Sequence, residues 1–141
     1  MKQLEKLWGC VPPFIFATLD QISTLWNQTA LYWSGDYRYP TESNPLARLL
    51  LQQHPFLFAL AIWGWVILFS LIIFLLPRRF AVAVSIAITL AHASATATWI
   101  AQTFESPYGI LAAMFLACGI IIVVAWEKAH GAANQSEQTS S

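Results

Sequence analysis

A histidine, His92, lies near the middle of the uncharged run from Phe80 to Phe104. Five further side chains share its helical face, at successive spacings of four, three, four, three and four residues. They are Ser85, Thr89, Thr96, Trp99 and Thr103. A histidine among hydroxyl groups on an apolar helix is typical of a site for a proton, an ion or a small polar ligand inside a membrane.

A second polar stripe lies nearer the amino terminus, where Asp20, Thr24 and Asn27 follow one another at spacings of four and three. Because unsatisfied polar groups in hydrocarbon cost several kcal/mol each, the two stripes should face one another or a small wet cavity. We therefore predict that Asp20 and His92 lie within hydrogen-bonding or one-water reach.

The sequence leaves three interpretations of this pair open. It can form a site for a proton, ion or ligand, or it can be a structural lock that fixes helix packing. Alternatively, His92 could ligate haem iron or a chlorin magnesium, with small neighbours leaving space for the ring. Against the last interpretation, His54 and His130 lie at opposite edges of the predicted membrane domain, so no second histidine is available there. The cofactor is therefore unknown.

The loop between the first two predicted spans carries three more candidate residues, Glu42, Asn44 and His54. They could contribute to a site, although capping and surface roles are the simpler interpretation. Asn44 followed by Pro45 predicts the start of a short helix, with the asparagine as its cap. This helix has an apolar side and is expected to rest on the outer membrane surface; that side consists of Leu46, Leu49 and Leu50.

Signatures of serine hydrolases, cysteine proteases, zinc sites and phosphate-binding loops are absent at recognisable spacing. No catalytic residue and no metal ligand are therefore assigned, and the sequence favours a non-enzymatic protein. An enzyme stays open because intramembrane acids and histidines can do acid-base work. A net charge of zero gives no electrostatic reason to expect nucleic acid as a partner.

Composition places these residues in a membrane protein. The chain has 141 residues, of which 57% are hydrophobic and only 10% are charged, far from the soluble average. Three uncharged runs, at 55–76, 80–104 and 108–126, each meet the length of about 20 residues that crosses a bilayer. A fourth span is predicted at 13–34, because its polar face lacks the Lys and Arg that an interfacial helix usually carries.

The distribution of basic residues supports four spans. With the first segment crossing, most lysines and arginines lie on the side of both termini, which the positive-inside bias makes cytoplasmic. We expect an all-α, four-helix transmembrane bundle over residues 1–130 in the inner (plasma) membrane, followed by a disordered polar tail at 131–141. In the third span, small residues repeat every four positions and should let another helix approach closely. They are Ala83, Ala87, Ala91 and Ala95.

An ordered set of short motifs resembles a known family. The first helix carries Asp20 and Thr24, the loop carries Glu42-Ser43-Asn44-Pro45-Leu46, and His92 follows an apolar helix. Together they resemble small bacterial polytopic membrane proteins classed as a domain of unknown function, over roughly residues 14–99. The resemblance implies a compact helical membrane domain and implies no activity, substrate or cofactor.

Our leading functional hypothesis is a non-enzymatic accessory or structural subunit that packs against other membrane proteins or a second copy of itself within the lipid bilayer. Seven tryptophans in so short a chain suit anchoring and lateral contact. The alternatives are an ion, proton or small-ligand binding or translocation module that uses Asp20 and His92, and a haem or chlorin carrier that uses His92.

Overall fold

The computed structural model describes residues 2–104 and 114–126, together with residues 109 and 112, and side chains from Lys6 onward. Every regular element in this part of the chain is a helix. The helices are α1 (Lys2–Trp26), α2 (Ala30–Trp33), α3 (Pro45–Gln53), α4 (Pro55–Leu75), α5 (Arg78–Thr103) and α6 (Met114–Trp126). The predicted all-α class is confirmed for these residues. The predicted tail at 131–141 and the start of the last predicted span lie outside them.

The first helix differs from the predicted span at 13–34. α1 begins at Lys2 and continues through both prolines that we expected to mark its entrance. Pro13 has no N–H to offer the carbonyl of Gly9, but Ser85 Oγ donates a hydrogen bond to that oxygen at 2.7 Å. The helix therefore passes the proline because α5 supplies the missing donor, a long-range contact that local sequence does not show.

At its other end, α1 stops at Trp26 because side chains take its last carbonyls. Asn27 Nδ2 donates to Ser23 O, and Gln28 Nε2 donates to Thr24 O, both at 2.8 Å. Ser23 O also accepts from Asn27 N at 3.1 Å, whereas Gln28 N bonds to Leu25 O at 3.2 Å, so Thr24 O accepts from the Gln28 side chain instead of a backbone N–H. The residues up to 34 therefore form a separate short helix, α2, instead of the end of one continuous span.

α1 and α5 run parallel and in register. Hydrogen bonds join Gly9 to Ser85 at one end and Asn27 to Thr103 at the other. On each helix these contacts are 18 residues apart, which corresponds to a rise of about 27 Å. The two predicted polar stripes therefore do face one another along this seam.

α4 runs antiparallel to α1. Near the start of α1, Lys6 Nζ donates to Phe74 O at 2.8 Å and to Leu76 O at 3.0 Å at the end of α4. Further along, the rings of Phe14 and Trp63 are in contact, with their centroids 5.5 Å apart. The lysine thus stabilises terminal carbonyls of α4 that have no helical donor.

α6 also runs antiparallel to α1 and packs on both α1 and α5. The Trp126 ring lies against Gly9, and a Cβ added at Gly119 would lie 3.3 Å from the Phe16 ring and from Thr89 Cγ2. A Cβ added at Gly9 would likewise lie 3.1 Å from the Trp126 ring. Both distances are shorter than ordinary van der Waals contact, so each glycine allows the helices to approach closely. α6 therefore packs beside both α1 and α5.

The end of the molecule that contains α2, α3 and the start of α4 has its own small core, in which Tyr32, Leu51 and Phe58 are buried together. Tyr32 on α2 donates its hydroxyl to Leu51 O at 3.0 Å. Pro55 lacks the N–H that would otherwise donate to this carbonyl, so the tyrosine hydroxyl takes its place and attaches the end of α3 to α2. Burial, followed by the neighbouring Tyr37, raises the pKa of Tyr32 to about 12.

The alanine repeat on α5 does not mediate the packing we expected. Ala83, Ala87 and Ala91 are exposed, whereas Ser85 and Thr89 are buried on the face toward α1 and α6. The hydroxyl face packs inward because the free carbonyl and polar side chains of α1 require donors.

Two described helices, α4 and α5, are long and apolar enough to cross a membrane. In the most apolar stretch of α4 only 11% of the residues are buried, and in that of α5 33% are buried. Their apolar side chains therefore face outward to a large extent.

Replacing the donor at the proline should destabilise the fold. We expect Ser85→Ala to lower stability by about 1 kcal/mol, because Gly9 O then has no donor. Thermal unfolding in detergent measures this change. Ser94→Ala, an exposed serine on the same helix, is the matched control and should be neutral. Pro13→Ala restores a backbone N–H and should recover stability in the S85A background. Equal melting temperatures for S85A and S94A would contradict the assignment.

Candidate functional site

The centre of the site is the contact between Asp20 on α1 and His92 on α5. Asp20 Oδ2 and His92 Nδ1 lie 2.8 Å apart, and both side chains are largely but not fully buried. The predicted proximity of these two residues is therefore present. With Asp20 ionised, its carboxylate can only accept, so His92 Nδ1 carries the shared proton and Nε2 is left for another partner.

A cavity of about 460 Å³ adjoins this pair. Five segments of the chain form its walls: α1, the loop after α2, α3, the first half of α4 and the second half of α5. Its polar lining consists of Asp20, Thr24, Thr41, Glu42, Ser43, Asn44, His92, Thr98 and Gln102. The polar pair and the outer loop, which the sequence presented as separate candidates, thus share one space. Its volume is in the range typical of small-molecule sites.

The loop that brings Glu42 to the cavity is attached first to the end of α1. Thr41 N donates to Gln28 Oε1 at 2.9 Å, and Thr41 Oγ1 donates to Asn27 O at 2.8 Å. Gln28 is itself buried and bonded back to Thr24. The residue preceding Glu42 is therefore held against the same helix that carries Asp20.

The start of α3 holds Glu42 from the other side. Asn44 N donates to Glu42 Oε1 at 2.7 Å, and Arg48 Nε donates to Glu42 O at 2.6 Å. Asn44 Oδ1 accepts from Leu46 N at 3.0 Å, so the predicted cap of this helix is confirmed. These bonds leave the Glu42 side chain only 7% exposed.

Aromatic and aliphatic side chains form the remaining walls. Phe58 and Trp99 are buried, and Trp65 is partly exposed with its ring edge-on to Phe69 at a centroid distance of 4.5 Å. The aliphatic lining consists of Leu46, Ala47, Leu50, Ala61, Ile62 and Ala95. No lysine or arginine is among the described residues that line this cavity. The site therefore combines two carboxylates and a histidine with a largely apolar surround.

Four residues of the predicted polar core lie outside the cavity and serve helix packing. Ser85 bonds to Gly9 O, and Asn27 Oδ1 accepts from Thr103 Oγ1 at 2.5 Å. Thr89 and Thr96 are buried and donate within their own helix, to Ser85 O at 2.7 Å and to His92 O at 2.9 Å. They satisfy their hydroxyls without offering them to a ligand.

His54 is also separate from the cavity. Its Nδ1 accepts from Phe56 N at 3.1 Å and caps α4, and its ring lies edge-on to Tyr37 at 5.3 Å. Among the candidates in the outer loop, the structure brings Glu42 and Asn44 to the cavity and leaves His54 beside it.

Sequence reasoning missed Phe58 and Trp65. Both lie on α4, which is apolar on every side, so periodicity gives no signal for the face that points inward. Within the described residues, no three His, Cys, Asp or Glu side chains gather as a metal site.

Comparison of the chain with models of protein families, with curated proteins and with solved structures found no match. The resemblance to small bacterial membrane proteins, carried by Asp20, Thr24, the Glu42–Leu46 segment and His92, stays a prediction.

The Asp20–His92 contact should be measurable as an energetic coupling. We expect Asp20→Ala and His92→Ala each to lower stability, because each leaves a largely buried polar partner unsatisfied. The double variant should be less destabilised than the sum of the single changes by about 1 kcal/mol or more. Thermal unfolding of all four proteins in detergent gives this value. Strict additivity would show that the two side chains do not interact in solution.

Proposed function

We propose that this chain is a multi-pass membrane protein whose outer half binds a small polar or charged ligand. The observation that carries the proposal is the cavity, whose walls include both the Asp20–His92 pair and the buried residue Glu42. If the Asp20–His92 pair only fixed the packing of the helices, no cavity would be needed beside it. The adjoining cavity of about 460 Å³ therefore favours ligand binding over a purely structural role.

The arrangement of α1 supports its assignment as a membrane span in addition to α4 and α5. Every exposed residue of α1 from Leu7 onward is apolar; they are Leu7, Trp8, Val11, Phe14, Ile15, Ile22 and Trp26. Its polar side chains are instead buried, as Gln21 and Thr24 are, or partly buried. Apolar residues outside and polar residues inside are the arrangement of a helix surrounded by lipid. A helix lying at the membrane surface would instead expose a polar face to water. α6 belongs to the fourth span in this proposal.

The distribution of charge supports an orientation with the amino terminus in the cytoplasm. Lys6 reaches the end of α4, next to Arg78 and Arg79, so these basic residues share one end of the bundle. Arg38 and Arg48 lie at the other end, in the loop and α3. Three described cations against two favour the first end as cytoplasmic. The cavity then opens toward the outer side of the inner membrane.

Cysteine labelling tests both the cavity and the orientation. In a chain with Cys10→Ala and Cys118→Ala, we expect Ala95→Cys to react with a membrane-impermeant thiosulfonate reagent added to spheroplasts. Ala95 lines the cavity. Ala91→Cys, one turn away on the exposed face of α5, should stay unmodified because lipid surrounds it.

The outcomes separate the parts of the proposal. Reaction of A95C only in inside-out vesicles would overturn the orientation and keep the cavity. Absence of reaction from either side would overturn the cavity as a ligand site.

A second candidate function, the accessory role, is favoured by the exposed alanines of α5. Ala83, Ala87 and Ala91 lie on the outer surface of the helix, and Ser94 and Thr98 extend the same row of small exposed residues. Such rows let two membrane helices approach closely. In this role the partner is a second copy of the chain or another membrane protein.

Enlarging one alanine should weaken such an association. We expect Ala87→Leu to shift the purified protein from a defined oligomer to a monomer, because the longer side chain separates the helix backbones. Ala117→Leu, at an exposed position of α6, is the matched control. Multi-angle light scattering in mild detergent measures the mass. A monomeric parent chain that also carries no partner protein would contradict the accessory role.

A further inference from the structure

We infer that the ligand of this cavity is an organic cation, a positively charged nitrogen group attached to an apolar body. This inference rests on the proposed ligand-binding function and adds the chemical class of the ligand.

The charge of the cavity selects a cation. Asp20 and Glu42 supply two carboxylates, and His92 adds at most one positive charge, so the lining is net negative when both acids are ionised. The two arginines of the loop and α3 are not among the described lining residues. Arg38 is paired with Asp36 at 2.7 Å, holding the pKa of that carboxyl at about 2, and Arg48 donates to the backbone oxygen of Glu42, not to its carboxylate.

Glu42 is the side chain whose hydrogen bonding most directly supports a ligand in the cavity. It is 7% exposed and lines the cavity, yet only its Oε1 receives a hydrogen bond, from Asn44 N. Oε2 has no donor among the described residues. A buried carboxylate with an unused oxygen is stabilised by a cation in the cavity.

The other walls favour an organic cation over a bare metal ion. Within the described part of the chain, no three His, Cys, Asp or Glu side chains gather in the way that holds ions such as zinc. The rings of Phe58, Trp65 and Trp99 instead offer apolar surface and π faces to a weakly hydrated ammonium group. Leu50 and Ile62 complete a wall suited to a hydrocarbon body.

Two sources of such a group are an independent small molecule and the ammonium headgroup of a phospholipid. A phospholipid brings a phosphate next to its ammonium, and arginine is the usual partner for phosphate. In the part of the lining that the structure describes there is neither arginine nor lysine. The absence of such a partner favours the independent molecule, and a competition experiment distinguishes the two.

The test uses benzyltrimethylammonium, which combines a quaternary ammonium with an aromatic body, and isothermal titration calorimetry of the full chain in maltoside detergent. We expect binding of this cation and none of the anion benzylsulfonate. Glu42→Gln should weaken binding by about tenfold through loss of one charge, and Trp65→Leu by several-fold through loss of the π face. Arg38→Gln and Trp63→Leu are the matched controls outside the cavity and should bind like the parent.

Melting temperatures confirm that each variant is folded before titration. Displacement of the probe by short-chain phosphatidylcholine would assign the headgroup as the source, whereas continued binding in its presence assigns an independent cation. Equal binding by the E42Q variant, or equal binding of the anion, overturns the inference. If A95C is labelled from outside but benzyltrimethylammonium does not bind, the cavity of the proposed function stands and the cationic ligand is wrong.

Discussion

Several backbone carbonyls have no donor within their own helix, and side chains of other elements supply the missing hydrogen bonds. Pro13 leaves Gly9 O free and Ser85 supplies the donor, while Pro55 leaves Leu51 O free and Tyr32 supplies the donor. At the end of α4, two more carbonyls accept from the ammonium of Lys6. In each of these four cases the donor is a side chain from another element. These contacts therefore help to determine which helices lie beside one another.

This constraint aligns the polar pair. The Gly9–Ser85 and Asn27–Thr103 contacts hold α1 and α5 parallel over about 27 Å, close to the thickness of a bilayer core. Asp20 and His92 lie between these two contacts and are brought within hydrogen-bond distance. Of the hydroxyls on the polar face of α5, those of Ser85 and Thr103 bond across the seam to α1, whereas those of Thr89 and Thr96 donate within α5.

The loop after α2 places Glu42 at the cavity beside the contact between α1 and α5. Thr41 is bonded to the end of α1 and Asn44 to the start of α3, so Glu42 between them is held against the cavity with little freedom. The buried cluster around Tyr32 holds α3 in place. A ligand that enters the cavity therefore meets groups whose positions are already determined, which lowers the entropy lost on binding.

The helical class, the apolar α4 and α5, the cap at Asn44 and the two polar stripes could be predicted from the sequence. Each of these follows from residue type and spacing within one helix. Three features could not be predicted and came from the packing of the chain: α1 continues through its prolines, Ala83, Ala87 and Ala91 face outward, and Glu42 and Trp65 line the same cavity as the Asp20–His92 pair. The physical reason is that those outcomes depend on donors and walls from distant segments. On a uniformly apolar helix such as α4, spacing carries no information about which face turns inward.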